Sequence, residues 1–108
     1  LFGHDDETVN ALQNISFDVE DPLWRLPLWE GYDDELSSEF ADTDNIGSGR
    51  AGAIHGGLFL KKFVEDDSNW LHLDVYAWED SGRDLCDKGG LDTGMRAVYT
   101  LLKDRYAK

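Results

Sequence analysis

Basic residues are scarce in this chain: ten Lys and Arg stand against 23 Asp and Glu, a formal net charge of −13. That deficit argues against nucleic acid and anionic membrane surfaces as partners, because both are recognised through basic patches. Cysteine occurs once, at Cys86, which excludes an internal disulfide framework and suits a reducing, cytoplasmic setting. No run approaches the ~18 apolar residues of a membrane span. Proline occurs only at positions 22 and 27, so any proline-imposed break falls in one stretch. An initiator methionine is missing as well. The chain opens Leu1-Phe2-Gly3, and the expectation is a piece of a longer protein.

What is present is the composition of a globular domain, 41% apolar with four Trp, four Tyr and five Phe. A single core is within reach of this length, burying ~65% of the surface the unfolded chain would expose. The acid excess is compatible with a surface that receives cations or cationic peptide termini.

The letters WLHLDVYAW at 70–78 alternate strictly with a period of two, which predicts a strand. Trp70, His72, Asp74, Tyr76 and Trp78 take one face; Leu71, Leu73, Val75 and Ala77 take the other. The aliphatic face is expected to bury under a helix, and the polar-aromatic face to meet a polar layer, a partner or a site. Leu1 and Phe2 read as the end of another strand.

Asp5 or Asp6 is positioned to cap a first helix whose stripe is Thr8, Ala11, Leu12, Ile15 and Val19. Asp21-Pro22 is expected to end it. The segment PLWRLPLWEGY at 22–32 is too proline-broken for a helix or a central strand and too apolar for a free linker. It reads as an extended strap, with Arg25 paired to a carboxylate. A short helix is predicted over 32–40, with Leu36 and Phe40 one turn apart. A helix apolar nearly all round is predicted over 49–64, buried between layers. On it, Gly52 and Gly56 mark a close approach, His55 is a satisfied buried histidine, and Lys61 and Lys62 sit near the C-terminal end. After Trp78 comes a polar loop. Asp92 or Thr93 then caps a closing helix with the stripe Met95, Val98, Tyr99, Leu102 and Tyr106, and Lys103, Arg105 and Lys108 gather at its end.

Three local constellations bear on chemistry. The loop ADTDNIGSGR at 41–50 places Asp42, Asp44 and Gly47 at positions one, three and six of a calcium loop. Ile46 then stands at position five, and Ala53 at position twelve where a bidentate Glu is required. It also lacks the spacing of a phosphate-binding glycine loop. His72 and Asp74 share a strand face, but a metal site needs three or four ligands; His72 is more simply a structural, hydrogen-bonded residue. Cys86 has no base fixed near it for nucleophilic work.

Five segments occur in one order: PLWRLPLWEGY, AD-x-x-N-x-G at 41–47, AGAI-x-x-x-LFLKKF at 51–63, W-x-HLD at 70–74 and GG-x-x-x-GMR at 89–96. This order resembles the C-terminal end of the leucyl (cytosol) aminopeptidase family, its bacterial branch in particular, across essentially the whole chain. The resemblance implies an α/β fold, the C-terminal part of a three-layer α/β/α metallo-exopeptidase domain, mostly helices with one or two strands, over residues 1–108. It also implies a cytoplasmic two-metal enzyme, with Zn or Mn, that removes N-terminal residues from peptides and assembles as a homo-oligomer, a hexamer in the family. The metal ligands, the NTDAEGR motif and the catalytic Lys and Arg lie upstream of every residue present here. No catalytic or metal residue is therefore expected in this chain, no cofactor is bound by it, and alone it is expected to be inactive. DTDNIGSGR shares Thr-Asp and Gly-Arg with that motif but takes its place from its neighbours.

By the same resemblance Ile46 falls where members line the pocket for the second substrate residue. Tyr76, Trp78 and Glu79 fall near the wall of the pocket for the N-terminal side chain. Tyr76 is bulkier than the small residue many members carry there. Two alternatives stay open at this stage: these aromatics serve packing alone, or the chain is a stand-alone, non-enzymatic acidic binding module.

Overall fold

Phe2 and Gly3 form strand β1 and pair antiparallel with strand β2, Leu71–His72, so that Phe2 lies opposite His72. The computed structural model describes residues 1–65, 68–83 and 86–107. Within it the chain divides into two compact units. The first takes Leu1–Val9 and Arg25–Asp74; the second takes Asn10–Trp24 and the residues from Val75 onward.

In the first unit the core is Leu1, Phe2, Val9, Leu36 and Leu58, joined by the buried polar residues Thr8 and His55. Helix α1, Asp6–Asp18, starts here. Asp5 is its cap, its Oδ2 accepting the Thr8 amide at 2.8 Å. The acidic first turn of Asp6 and Glu7 suits the positive end of the helix dipole. Residues 22–29 carry no regular structure, as two prolines require. The strap is tied to the strand region by the Leu26 amide, which donates to the Leu1 carbonyl at 3.0 Å. Arg25 is ion-paired with Asp6. A 3-10 helix follows at Glu30–Leu36, shorter than the helix expected to Phe40. Leu36 is its buried residue, whereas Phe40 is 97% exposed. Four of its seven residues are acidic, and the tighter helix ends before a second apolar contact forms.

Helix α2, Gly52–Lys61, buries one face through His55, Gly57 and Leu58. It is not sheathed all round: Leu60 and Phe63 are exposed. The close approach also falls elsewhere than expected. A Cβ on Gly52 or Gly56 would meet nothing within 4 Å, but on Gly57 it would lie 2.8 Å from Leu28 Cδ2 and 3.2 Å from the Phe2 ring. Lys61 and Lys62 reach back to Glu30 and Asp33 at 3.1 and 2.9 Å.

The nine-residue strand is not formed. Only Leu71–His72 pairs in the first unit, and strand β3, Trp78–Glu79, pairs antiparallel with β4, Gly89–Gly90, in the second. Between them Ala77 takes φ 50°, left-handed backbone that cannot continue a pleated strand. The period of two survives as exposure only from Leu73 onward: residues 73, 75 and 77 are half-buried while 74, 76 and 78 are exposed, but 70, 71 and 72 are all half-buried. Among the described residues, four strands of two residues replace the one or two expected. His72 is stacked on Phe2, ring centroids 5.9 Å apart, a cross-strand ring pair.

The second unit is built on Leu12, Leu23, Ala97 and Leu101, with Ser16 and Asp21 buried among them. Helix α1 stops at Asp18, earlier than the proline required. Glu20 adopts φ 55°, and the Glu20 and Asp21 amides bond back to the Phe17 and Ser16 carbonyls at 3.2 and 2.8 Å, a Schellman ending with Glu in the usual glycine position. Ser16 Oγ accepts the Leu23 amide at 2.9 Å. Helix α3, Met95–Tyr106, begins after Gly94 with no cap from its own neighbours. Neither Asp92 nor Thr93 caps it. Asp21 does: its carboxylate accepts the Gly94 amide at 2.8 Å and the Ala97 amide at 3.2 Å. That docking turns Ala97 and Leu101 inward, so Met95, Tyr99, Leu102 and Tyr106 are exposed rather than buried. Lys103 and Arg105 lie in the last turn of α3; Lys108 is outside the described residues. The predicted polar loop after Trp78 contains the β3–β4 ladder and a further bridge from Arg83 to Cys86.

Candidate functional site

Ile46 lies in the first unit, at the apex of the loop 41–50. Two consecutive carbonyls at the end of the 3-10 helix hold that loop. Leu36 O accepts the Asp44 amide at 2.8 Å and Thr43 Oγ1 at 3.0 Å, and Glu35 O accepts the Ser48 amide at 3.4 Å. Ile46 falls between these anchors with its side chain out, 79% exposed. Beneath the loop is His55, 3% exposed. Its Nε2 lies 2.9 Å from Glu35 Oε2, but the contact is not aligned as a hydrogen bond and neither ring nitrogen has a hydrogen-bond partner, so the histidine is buried as expected but not satisfied. The edge-on Tyr32 ring sits 5.7 Å from the imidazole. Gly47 rests against the imidazole and Gly49 against the Glu35 carboxylate so closely that a Cβ on either would overlap its neighbour.

Tyr76, Trp78 and Glu79 lie together in the second unit. Trp78 and Glu79 stand opposite Gly90 and Gly89 in the β3–β4 ladder, and the Leu91 amide donates to the Ala77 carbonyl at 2.9 Å. The glycine partners leave the face beside the Trp78 indole without a cross-strand side chain. The Tyr76 hydroxyl is shared between the two Asp80 carboxylate oxygens at 3.1 and 3.2 Å. Tyr76 and Trp78 are exposed. Glu79 accepts the Ser81 amide at 3.3 Å and pairs with Arg83 Nε at 2.8 Å. The Ser81 amide, with help from Arg83, holds its carboxyl below the usual carboxylate range.

Two clefts open in the first unit. One, of about 540 Å³, is lined by Gly3, His4, Arg25, Pro27, Leu28, Lys61 and Trp70. The other, of about 420 Å³, is lined by Glu30, Asp33, Asp34, Leu58, Lys61, Lys62 and Val64. Neither contains a residue singled out from the sequence as pocket wall. The cations at both are already engaged by Asp6, Glu30 and Asp33. Among the described residues no three His, Cys, Asp or Glu side chains come together as a metal would require. His72 lies against Phe2 and Asp74 is exposed. Sequence reasoning missed the Glu35 contact to His55 and the two glycines over it. The signal was present in the Gly47-x-Gly49 spacing before a histidine-bearing helix.

The sequence profile of the cytosol aminopeptidase family, catalytic domain, matches residues 1–101. The chain is 39% identical over 105 residues to the probable cytosol aminopeptidase of Syntrophotalea carbinolica, covering 95% of this chain and 21% of that protein. It is 42% identical over 111 residues to the probable cytosol aminopeptidase of Chlamydia caviae, covering 100% of this chain and 22% of that one. The crystal structure of cytosol aminopeptidase from Coxiella burnetii superposes with a TM-score of 0.91 at 40% identity, over 97% of this chain and 23% of that chain. A tomato leucine aminopeptidase variant superposes at 0.81 and 33% identity, over 94% of this chain and 19% of its own. The chain thus spans about a fifth of the length of the curated relatives it matches.

Proposed function

The chain belongs to the cytosol aminopeptidase family, and from that membership we propose that it is the C-terminal part of the catalytic domain of a peptide hydrolase that removes N-terminal residues. The observation that carries this is the superposition on the Coxiella enzyme at a TM-score of 0.91, over 97% of this chain. In the proposed enzyme two divalent ions, Zn or Mn, would supply activated water and a Lewis acid for the scissile carbonyl when bound. They would be held by residues outside this chain. By itself the chain is inactive.

Its own residues act as pocket wall. Ile46, exposed at the apex of an anchored loop, packs against the second substrate residue. Tyr76, Trp78 and Glu79 border the space for the N-terminal side chain, Tyr76 narrowing it. The exposure of Tyr76 and Trp78 supports this over packing within the unit, because neither ring is covered by it. The enzyme works in the cytoplasm, in keeping with its relatives' names, and as a homo-oligomer.

The test is hydrolysis of leucine anilide with added Mn²⁺ or Zn²⁺, run on this chain and on the longer protein that contains it. Activity confined to the longer protein is the expected result. Activity in the isolated chain would overturn the division of labour and return attention to His72 and Asp74. Inactivity of the longer protein with every metal would favour the acidic binding module instead.

A further inference from the structure

We propose that Glu35 and His55 form a bracket that fixes the position of Ile46, and so act as positioning residues for recognition of the second substrate residue. The proposal rests on the reading of Ile46 given above and adds the residues that make it precise. Glu35 is the hub. Its carbonyl accepts the Ser48 amide on one side of Ile46, and its carboxylate reaches the buried imidazole of His55. The neighbouring Leu36 carbonyl takes the two bonds on the other side.

His55 is the floor. The residue after Ile46 is Gly47, whose Cα lies on the imidazole with no space for a side chain, and Gly49 packs against the Glu35 carboxylate in the same way. The imidazole cannot retreat, since it is carried by α2 and met edge-on by Tyr32. A side chain exposed at its tip and held at its base by separate anchors has the preorganisation that a specificity contact requires. Glu35 and His55 need not touch substrate to matter.

The experiment compares kcat/KM for leucyl-leucine and leucyl-glycine in the longer, metal-loaded enzyme. Ile46→Ala is expected to lower the leucyl-leucine preference about tenfold, the scale of one poorly filled apolar contact. Glu35→Ala, and Gly49→Ala, which displaces the carboxylate from His55, are expected to lower it comparably. In both the loss should fall on KM for leucyl-leucine, with faster amide exchange across 41–50. Glu35→Gln, the same size and so still packed between His55 and Gly49, should restore the preference. If Ile46→Ala moves the preference while Glu35→Ala and Gly49→Ala do not, the bracket is overturned and the pocket reading stands. If Ile46→Ala moves nothing, the pocket reading falls and takes the bracket's role with it. A preference that Glu35→Gln fails to restore would also sink the positioning role.

Discussion

The carboxylate of Asp21 accepts the backbone amide of Gly94 at 2.8 Å, across 73 positions of sequence, and thereby starts helix α3. Its second oxygen takes the Ala97 amide. Two of the amide groups that a helix start leaves without partners are satisfied by a residue from the far side of the second unit.

Asp21→Ala is expected to destabilise the chain by about 2 kcal/mol, because two buried N–H groups lose their acceptor together. Asp21→Asn keeps one acceptor oxygen and should cost about half as much. Urea unfolding followed by far-UV circular dichroism measures both, and equal costs would mean that the charge rather than the acceptor matters.

Glu20 holds the left-handed position that turns Asp21 toward α3. Glu20→Gly removes the steric penalty of a Cβ there and should stabilise by up to about 1 kcal/mol. A lower melting temperature for this variant would show that the backbone at position 20 is set by something other than its own conformational cost.

The glycines of α2 are expected to part company. Gly56→Ala enters open space in a helix interior and should stabilise by about 0.5–1 kcal/mol. Gly57→Ala gains the same helix propensity but presses on Leu28 and the fully buried Phe2 ring, and overpacking of about 1–3 kcal/mol should win. Thermal denaturation of the two variants side by side decides it by sign alone.

Glu79 gives a signed pH dependence. Its folded pKa is lowered, chiefly by the Ser81 amide and secondarily by Arg83, so its stabilising contribution is complete above the ordinary carboxylate range. It is lost as pH falls through the depressed value. Carboxyl NMR titration should find Glu79 below an ordinary glutamate, and Arg83→Ala should move it only part of the way back.

The existence of the helices, a cap at Asp5 or Asp6, the Arg25 ion pair, the burial of His55 and the strand at Phe2 could be read from the letters, since each depends on neighbours in sequence or on a residue type with few options. What escaped depended on distant partners. The stripe Met95, Tyr99, Leu102 and Tyr106 is periodic, yet Asp21 docks the helix by its start and turns the Ala97–Leu101 face inward. Nothing near Gly94 announces that. The alternation from Trp70 to Trp78 holds as a pattern of exposure only from Leu73 onward; a ladder needs partners along its length, and Ala77 turns the backbone away. At the candidate site the sequence marked Ile46 by resemblance alone. The carbonyls of Glu35 and Leu36 that hold its loop have no sequence signature, since any residue carries one.

The long reach of the Asp21 carboxylate also shapes how the chain acquires its structure. The second unit cannot close until residues near position 94 have been made, and β1 waits in the same way for His72, its partner 70 positions on. Such closures lose chain entropy before any contact repays them, which slows folding. On the ribosome the buried faces of β1 and α1 would therefore emerge well before their partners, leaving Phe2, Val9 and Leu12 as an early binding site for holding chaperones.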